Sequence, residues 1–367
     1  MRGFGGACEG ARVRGAKVRA VATGAVAGLL LVACGADAGN AISNTDRSNP
    51  SLESRTIASS DAPSNSGTIA LSNAPSQRRT AAPAAPPSSA VPSKFDSSKA
   101  WDHLRRQVAF GPRPAGSAAL AECRRYILSE LKALGITARE QSFDAMTPLG
   151  TVKMVNVIAT IPGRRPERIV LATHYDTKLF REFRFVGASD AASSTAVVLE
   201  LARLLKSRQN EYTIELLFLD GEEAVNTEWR DPDNTYGSKY YVQAAKQAGT
   251  LTGLKALVLL DMVGDRNLDI RREANSTRWL GDIVWGSSAK LGYTASVIPE
   301  DIGPIEDDHL PFLAAGVPSV DIIDLDYPQW HTAQDDLDHV SARSLQIVGD
   351  IVIDAIPQIE RRLAAQK

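Results

Sequence analysis

The sequence predicts a single α/β domain built on a mixed, mostly parallel twisted sheet flanked by helices, and three observations predict it. From about Asp96 onward, apolar runs of strand length alternate with segments whose apolar residues keep helical spacing, the pattern of a sheet covered by helices. Everything before that point differs sharply in composition and shows no such alternation. Several of the strand-like runs end on an acid or a histidine, where a ligand would sit in an open α/β sheet.

Residues 1–33 carry Arg12, Arg14, Lys17 and Arg19 ahead of an apolar run from Ala20 to Ala33. That run is too short for a permanent transmembrane helix and is laid out as an export signal. Its end, Leu31-Val-Ala-Cys34-Gly35, resembles a bacterial lipobox. The resemblance implies acylation of Cys34, a lipid anchor in a membrane, and a place in the bacterial envelope on the periplasmic side. A plain secretory signal with an incidental cysteine is the alternative. Residues 34–95 are dominated by Ser, Ala, Pro, Asn and Thr, too poor in apolar surface to offset the entropy of ordering, so they are expected to form a disordered tether.

The catalytic domain is expected over 96–367. A helix near Ser97–Phe110 must stop at Gly111-Pro-Arg-Pro114. A second, from about Ser117, places Leu120, Cys123, Ile127 and Leu131 on one face and ends at Gly135, which makes Cys123 a small core residue. Strands follow at Ala138–Phe143, Met154–Thr160 and Ile169–Thr173, the last delivering His174-Tyr-Asp176. Gly187-Ala-Ser-Asp190 leads into a helix over Ser193–Ser207. The run Tyr212–Leu219 reads as a buried central strand that breaks at Asp220-Gly221 and presents Glu222 and Glu223 side by side; without that turn, neighbouring side chains would point to opposite faces. A loop through Trp229 enters a helix near Ser238. Strand Ala256–Leu260 ends at Asp261; helix Ser276–Leu291 and a strand near Ala295–Ile298 precede Ile305-Glu-Asp-Asp-His309. Strand Ser319–Ile323 is followed by the loop Asp324–His331, and a final helix starts at Ala342, with Pro357 the point where it would be kinked or cut.

Composition narrows the chemistry. A formal net charge of -2 with no basic stripe gives no footprint for nucleic acid, and no Gly-rich phosphate loop speaks for a nucleotide. The three cysteines, Cys8, Cys34 and Cys123, form no CxxC pair, so any metal must be held by histidine and carboxylate. His174, Asp176, Asp190, Glu222, Glu223, Asp261 and His331 stand at strand ends or just beyond them, and such a donor set without thiolates suits catalytic zinc.

The run from His174 to Leu205, then Asp220-Gly-Glu-Glu223, Asp261, Ile305-Glu-Asp-Asp-His309 and Trp330-His331-Thr332, resembles the glutaminyl-peptide cyclotransferases, within the clan of zinc-dependent aminopeptidases. The likeness covers the chain from Phe110-Gly-Pro-Arg-Pro114 to the last helix. It implies one zinc held by Asp190, Glu223 and His331, with Glu222 as proton shuttle and Asp261 and Asp307 as an acid pair beside the substrate. Trp330 would wall the pocket and offer its indole donor to a substrate carbonyl, Trp229 would supply a lid indole matched with a shift, and Tyr327 would cover the substrate, with core packing the alternative for Tyr327. The implied reaction converts the N-terminal glutamine of a peptide or protein to pyroglutamate and ammonia. Two features depart from animal members or peptidases: Asp321 is the nearest residue to a further histidine of the animal enzymes, and Ala191 follows Asp190 where peptidases tend to have Asp or Asn. The alternative reading is a di-zinc aminopeptidase, with His174 and Asp261 on the second metal, Asp190 bridging, and Glu222 activating water. A third is an inactive binding module of the same fold.

Overall fold

The computed structural model describes residues 94–365; the export signal, Cys34 and the tether up to residue 93 lie outside the described residues. Helix α1, Ser97–Ala109, starts where the Asp96 carboxylate accepts the backbone N–H groups of Ser98 and Lys99 at 3.0 and 3.4 Å. Phe95, expected in the tether, is instead packed in the core against Gly349, where an added Cβ would meet its ring at 2.3 Å. The folded domain therefore begins one aromatic residue earlier than composition indicates. Helix α2, Ala118–Ala133, is capped by the Ser117 hydroxyl and buries Leu120, Cys123, Ile127 and Leu131 as their spacing requires.

Strands β1, Thr137–Thr147, and β2, Gly150–Ile161, form an antiparallel hairpin longer than the apolar runs within it. Beyond them come β3, Arg165–His174, and β4, Tyr212–Leu219, with the helix α3, Ser194–Ser207, between. Helix α4, Tyr236–Gln247, precedes β5, Leu254–Asp261; β6, Ile270–Arg272, and β7, Val297–Asp301, pair in a small sheet of their own around helix α5, Arg278–Leu291. A three-residue strand such as β6 is too short for periodicity to show. Helix α6, His309–Ala314, leads to β8, Ser319–Ile323, and the chain closes with α7, Ala342–Ala364.

The main sheet runs β1-β2-β4-β3-β5-β8, antiparallel in its first two pairings and parallel in the other three. Parallel strands need both faces covered, which is why β4 is buried along its whole length. Helices α1, α2, α3, α5 and α7 share the larger core on one face; α4 and α6 cover the other through Tyr241, Val242, Ala245 and Phe312. Helix α7 is not cut at Pro357 but runs through it. A proline inside a helix costs about 3 kcal/mol, and burial of each large aliphatic side chain stabilises by about 1.5–3 kcal/mol. Ile351, Val352, Ile356 and Ile359, all buried, therefore outweigh it. Among the described residues no helix is long and apolar enough to cross a membrane.

Candidate metal centre and active site

The parallel half of the sheet gathers the carboxyl ends of β3, β4, β5 and β8 along one edge, and the expected residues converge there. The Nε2 atom of His331 lies 3.3 Å from Glu223 Oε1 and 3.4 Å from Asp190 Oδ2. Asp190, Glu223 and His331 each offer one ligand atom in a group whose members all lie within 4.8 Å of one another. On the other side of Asp190, its Oδ1 is 3.3 Å from His174 Nε2, which is 3.1 Å from Asp261 Oδ1. His174, Asp190 and Asp261 thus form a second group of the same kind, with Asp190 common to both.

Each donor is aimed by local backbone chemistry. At Gly221 the chain takes φ 73, and its departure from the extended strand lets Glu222 and Glu223 face the same site. Their backbone N–H groups, at 3.2 and 3.4 Å, are accepted by the Asp176 carboxylate. Lys178 donates its backbone N–H to Glu223 Oε1 at 3.1 Å and its ammonium to the carbonyl of Ala224 at 2.8 Å, with Glu223 Oε2 3.7 Å away. Asp190 sits in a tight turn, Ala188–Ser193, whose next residue, Ala191, has φ 88, a strained value for a residue with a Cβ. Met262, after Asp261, and His331 itself also have positive φ, 50 and 55. Three strained residues at one sheet edge mark a site that the fold over-determines.

Sequence patterns did not expose two of the supports. Asp335 is fully buried and accepts the backbone N–H groups of Ser189 at 2.7 Å and Asp190 at 3.1 Å, fixing the turn from the far side. Arg113, also fully buried, has no carboxylate partner; its guanidinium donates to the carbonyls of Tyr175, Val186 and Gly187 at 3.2, 2.5 and 3.2 Å. It ties the end of β3 to the loop that leads to Asp190. The signal for Arg113 was its place in Phe110-Gly-Pro-Arg-Pro114; for Asp335 it was the short distance along the chain from His331.

Above these groups opens a cavity of about 360 Å³. Asp190, Glu222, Glu223, Asp261, Asp307 and His331 line its polar part, and Trp229, Ile305, Ile323, Leu325 and Trp330 its apolar walls. The Trp330 ring stacks on the His331 imidazole with centroids 4.4 Å apart. Trp229 reaches the wall as expected, its Nε1 without a hydrogen-bond partner and the Lys178 ammonium 5.9 Å from its ring. Tyr327 does not cover the cavity. It is buried against Met262 and Ile323, and its hydroxyl donates to Asp335 Oδ1 at 2.9 Å, because the loop turns it inward beneath the site.

The buried charges of the site act on one another. Burial pushes the Glu222 carboxyl well above its usual range, His174 opposes this, and Glu223, Asp307 and Asp261 reinforce it. Asp307 is pushed up to about 6 by burial and by Asp261. His331 is raised to about 9: burial works against its charged form, but Glu223 and Asp190 outweigh it. Asp190 Oδ2, Glu223 Oε2 and His174 Nδ1 are buried with no hydrogen-bond partner among the described residues, an arrangement that costs free energy unless something binds there. Histidine and carboxylate atoms converging without thiolates fit a divalent zinc ion.

Comparison with known proteins agrees. The profile described as peptidase family M28 matches residues 156–356. The glutaminyl-peptide cyclotransferase-like protein of Mus musculus is 32% identical over 276 residues, covering 67% of this chain and 71% of its own. The crystal structure of an Acidobacteriales bacterium glutaminyl cyclase superposes with a TM-score of 0.71 at 39% identity, covering 76% of this chain and 99% of that one. A leucine aminopeptidase precursor from Bacteroides thetaiotaomicron gives 0.66 at 30% identity, covering 72% and 98%. The chain belongs to peptidase family M28 and groups there with the glutaminyl-peptide cyclotransferases.

Proposed function

We propose that this enzyme cyclises the N-terminal glutamine of peptides or proteins to pyroglutamate and releases ammonia, using one zinc ion held by Asp190, Glu223 and His331. The observation that carries the reading is a cavity of about 360 Å³ in which Glu222 stands beside the proposed ligands, with indoles in its walls. The likeness to cyclotransferases supports it. When bound, zinc supplies Lewis acidity toward the side-chain amide carbonyl.

The remaining chemistry belongs to the chain and the substrate. The apolar walls fold the substrate's first residue back so that its α-amine meets its own side-chain amide carbon, and an intramolecular attack of this kind needs no serine or cysteine. Glu222 takes a proton from the attacking nitrogen; a new C–N bond forms, the amide C–N bond breaks, and Glu222 returns the proton to the departing nitrogen. A raised carboxyl suits an acid that must both accept and give. Asp261 and Asp307 both line the cavity and would form the acid pair beside the leaving group. Trp330, which lines the cavity and is 41% exposed, walls the pocket and offers its indole N–H to a substrate carbonyl.

The second reading is a di-zinc aminopeptidase, and one observation favours it: Asp190 stands between two ligand groups, as a bridging carboxylate would. Metal counting on the purified protein, together with product masses from Gln-peptides and amino-acid anilides, separates the two. One zinc with loss of ammonia supports cyclisation; two with release of the first residue supports the peptidase. Neither product would leave only the binding module.

We also propose that residues 1–33 direct export, that 34–95 tether residues 96–367, and that Cys34 is lipidated at the periplasmic side of a membrane. The support is the charged and apolar order of Arg12 to Cys34. Metabolic labelling with palmitate, lost in Cys34→Ser, tests it.

A further inference from the structure

Next to Asp307 lies a buried cluster that the reaction above does not use. Asp307, His309 and Asp321 each offer an atom in a group whose members lie within 4.8 Å of one another. His309 and Asp321 have no exposed surface. Among the described residues, neither ring nitrogen of His309 has a hydrogen-bond partner, nor does either carboxylate oxygen of Asp321, nor Oδ2 of Asp307. Five orphaned polar atoms in one closed space call for a physical account.

Glu273 supplies its outer end. Its carboxylate accepts the backbone N–H groups of Asn275, Ser276 and Ile305 at 2.6, 2.7 and 3.0 Å, so it is the stable anion of the group. Its Oε2 lies 3.3 Å from His309 Nε2, while His309 Nδ1 lies 3.7 Å from Asp321 Oδ2. The groups facing Asp321 are Glu273 beyond β6, Asp307 and His309 at the start of α6, and Asp261 at the end of β5. His309 is the imidazole among Glu273, Asp307 and Asp321, and Glu273 lies nearer to it than Asp321 does, while Asp261 has His174 at 3.1 Å. An ionised Asp321 would have no N–H donor and two further acids beside it, the most costly state for a buried carboxyl. As a neutral acid it becomes a donor, and Asp307 Oδ2 is the acceptor without one.

We propose that Asp321 is a neutral acid donating its hydroxyl to Asp307, a positioning residue that, with His309 and Glu273 behind it, holds Asp307 in the cavity wall beside Asp261. The proposal deepens the cyclotransferase reading and rests on it for the role of Asp307. Burial, followed by Asp307 and Asp261, pushes the Asp321 carboxyl well above the usual range, in the same direction as the geometry. Asn at this position keeps both the shape and a donor; Leu keeps only the volume.

The test compares the wild-type full chain with Asp321→Asn and Asp321→Leu. In infrared spectra of protein labelled with ¹³C in its aspartates, the neutral-acid C=O band should lose one residue's intensity in both variants. With a Gln-peptide, Asp321→Asn should retain most of the wild-type kcat. Asp321→Leu should lose about 10–100-fold in kcat, as expected for loss of an outer hydrogen-bond partner, with KM little changed. An unchanged band overturns the proposal, and so does an Asn variant as impaired as Leu. Less metal in Asp321→Asn than in wild type would also overturn it, since the cluster would then be a cation site. If the wild-type enzyme fails to cyclise Gln-peptides, the functional reading falls, and the infrared comparison still decides the state of Asp321.

Discussion

The two ends of the parallel strands treat buried acids in opposite ways. At the amino end, the buried acids Glu215 and Glu360 have a matched cation or a set of N–H donors: Arg168 Nη1 is 2.8 Å from Glu215, and Glu360 pairs with Arg208 while accepting the N–H groups of Glu211 and Tyr212. At the carboxyl end, Asp190, Glu223 and Asp307 each keep an oxygen without a partner among the described residues, and the groups nearby that can carry positive charge are the imidazoles of His174, His331 and His309, and Lys178. Backbone strain follows the same division, with Ala191, Met262 and His331 at the carboxyl end. Burial of a carboxylate alone therefore says little about function here. Burial without a counter-charge, on strained backbone, points to a ligand that completes the balance.

If that contrast is right, substitutions at the two ends should fail in different ways. The largest effects belong to the site. Glu222→Gln should keep its zinc and lose turnover by about 10²–10⁴-fold, the usual contribution of a positioned acid–base group. Its urea midpoint should be unchanged or higher, because a buried, raised carboxyl has been replaced by a neutral isostere. His331→Ala should lose both zinc and turnover; full zinc occupancy in that variant would remove the basis of the proposed ligand set. Asp335→Ala strips the acceptor from Ser189 and Asp190 without touching a donor atom, so zinc affinity should fall by about 10–100-fold, read by competition with a chelator. At the amino end, Glu215→Ala leaves Arg168 and the Tyr241 hydroxyl without their acid. The cost should be about 2 kcal/mol, below that of a fully buried pair because Arg168 keeps some solvent. Activity per folded molecule should not change. A Glu215 variant that lost zinc would erase the distinction between the two ends.

Much of this arrangement was legible in the sequence because a parallel sheet turns order along the chain into proximity. Apolar runs located β3, β4, β5 and β8, and whatever followed them had to meet at one edge. Asp190, Glu223 and His331 were accessible to that logic. Asp335 and Arg113 were not, because their work is done on backbone atoms: Asp335 acts on Asp190, 145 residues away, through a hydrogen bond that no side-chain pattern encodes. Tyr327 shows the opposite failure. Its closeness to His331 in sequence suggested the cavity, but the loop turns the ring toward Met262 and Ile323. Pro357 misled in a third way, since a local penalty was outweighed by tertiary burial along α7.

A pH-dependent comparison tests whether an acid near the carboxyl end that does have its donors behaves like those at the amino end. Glu273 accepts three backbone N–H groups and faces His309, which outweigh burial and lower its carboxyl to about 2 from an ordinary 4.5. A depressed folded-state pKa means that the unfolded chain binds the proton first as pH falls, so Glu273 contributes fully above about 4.5 and progressively less down to about 2. Glu273→Gln removes that contribution at neutral pH. The gap between wild-type and variant urea midpoints should therefore be widest near pH 7 and narrow as pH drops through this window. Taking the difference between the two proteins cancels the many other carboxyls that titrate in acid. A gap that widened on acidification would mean that Glu273 is held protonated in the folded protein, and the anion behind His309 would have to be sought elsewhere.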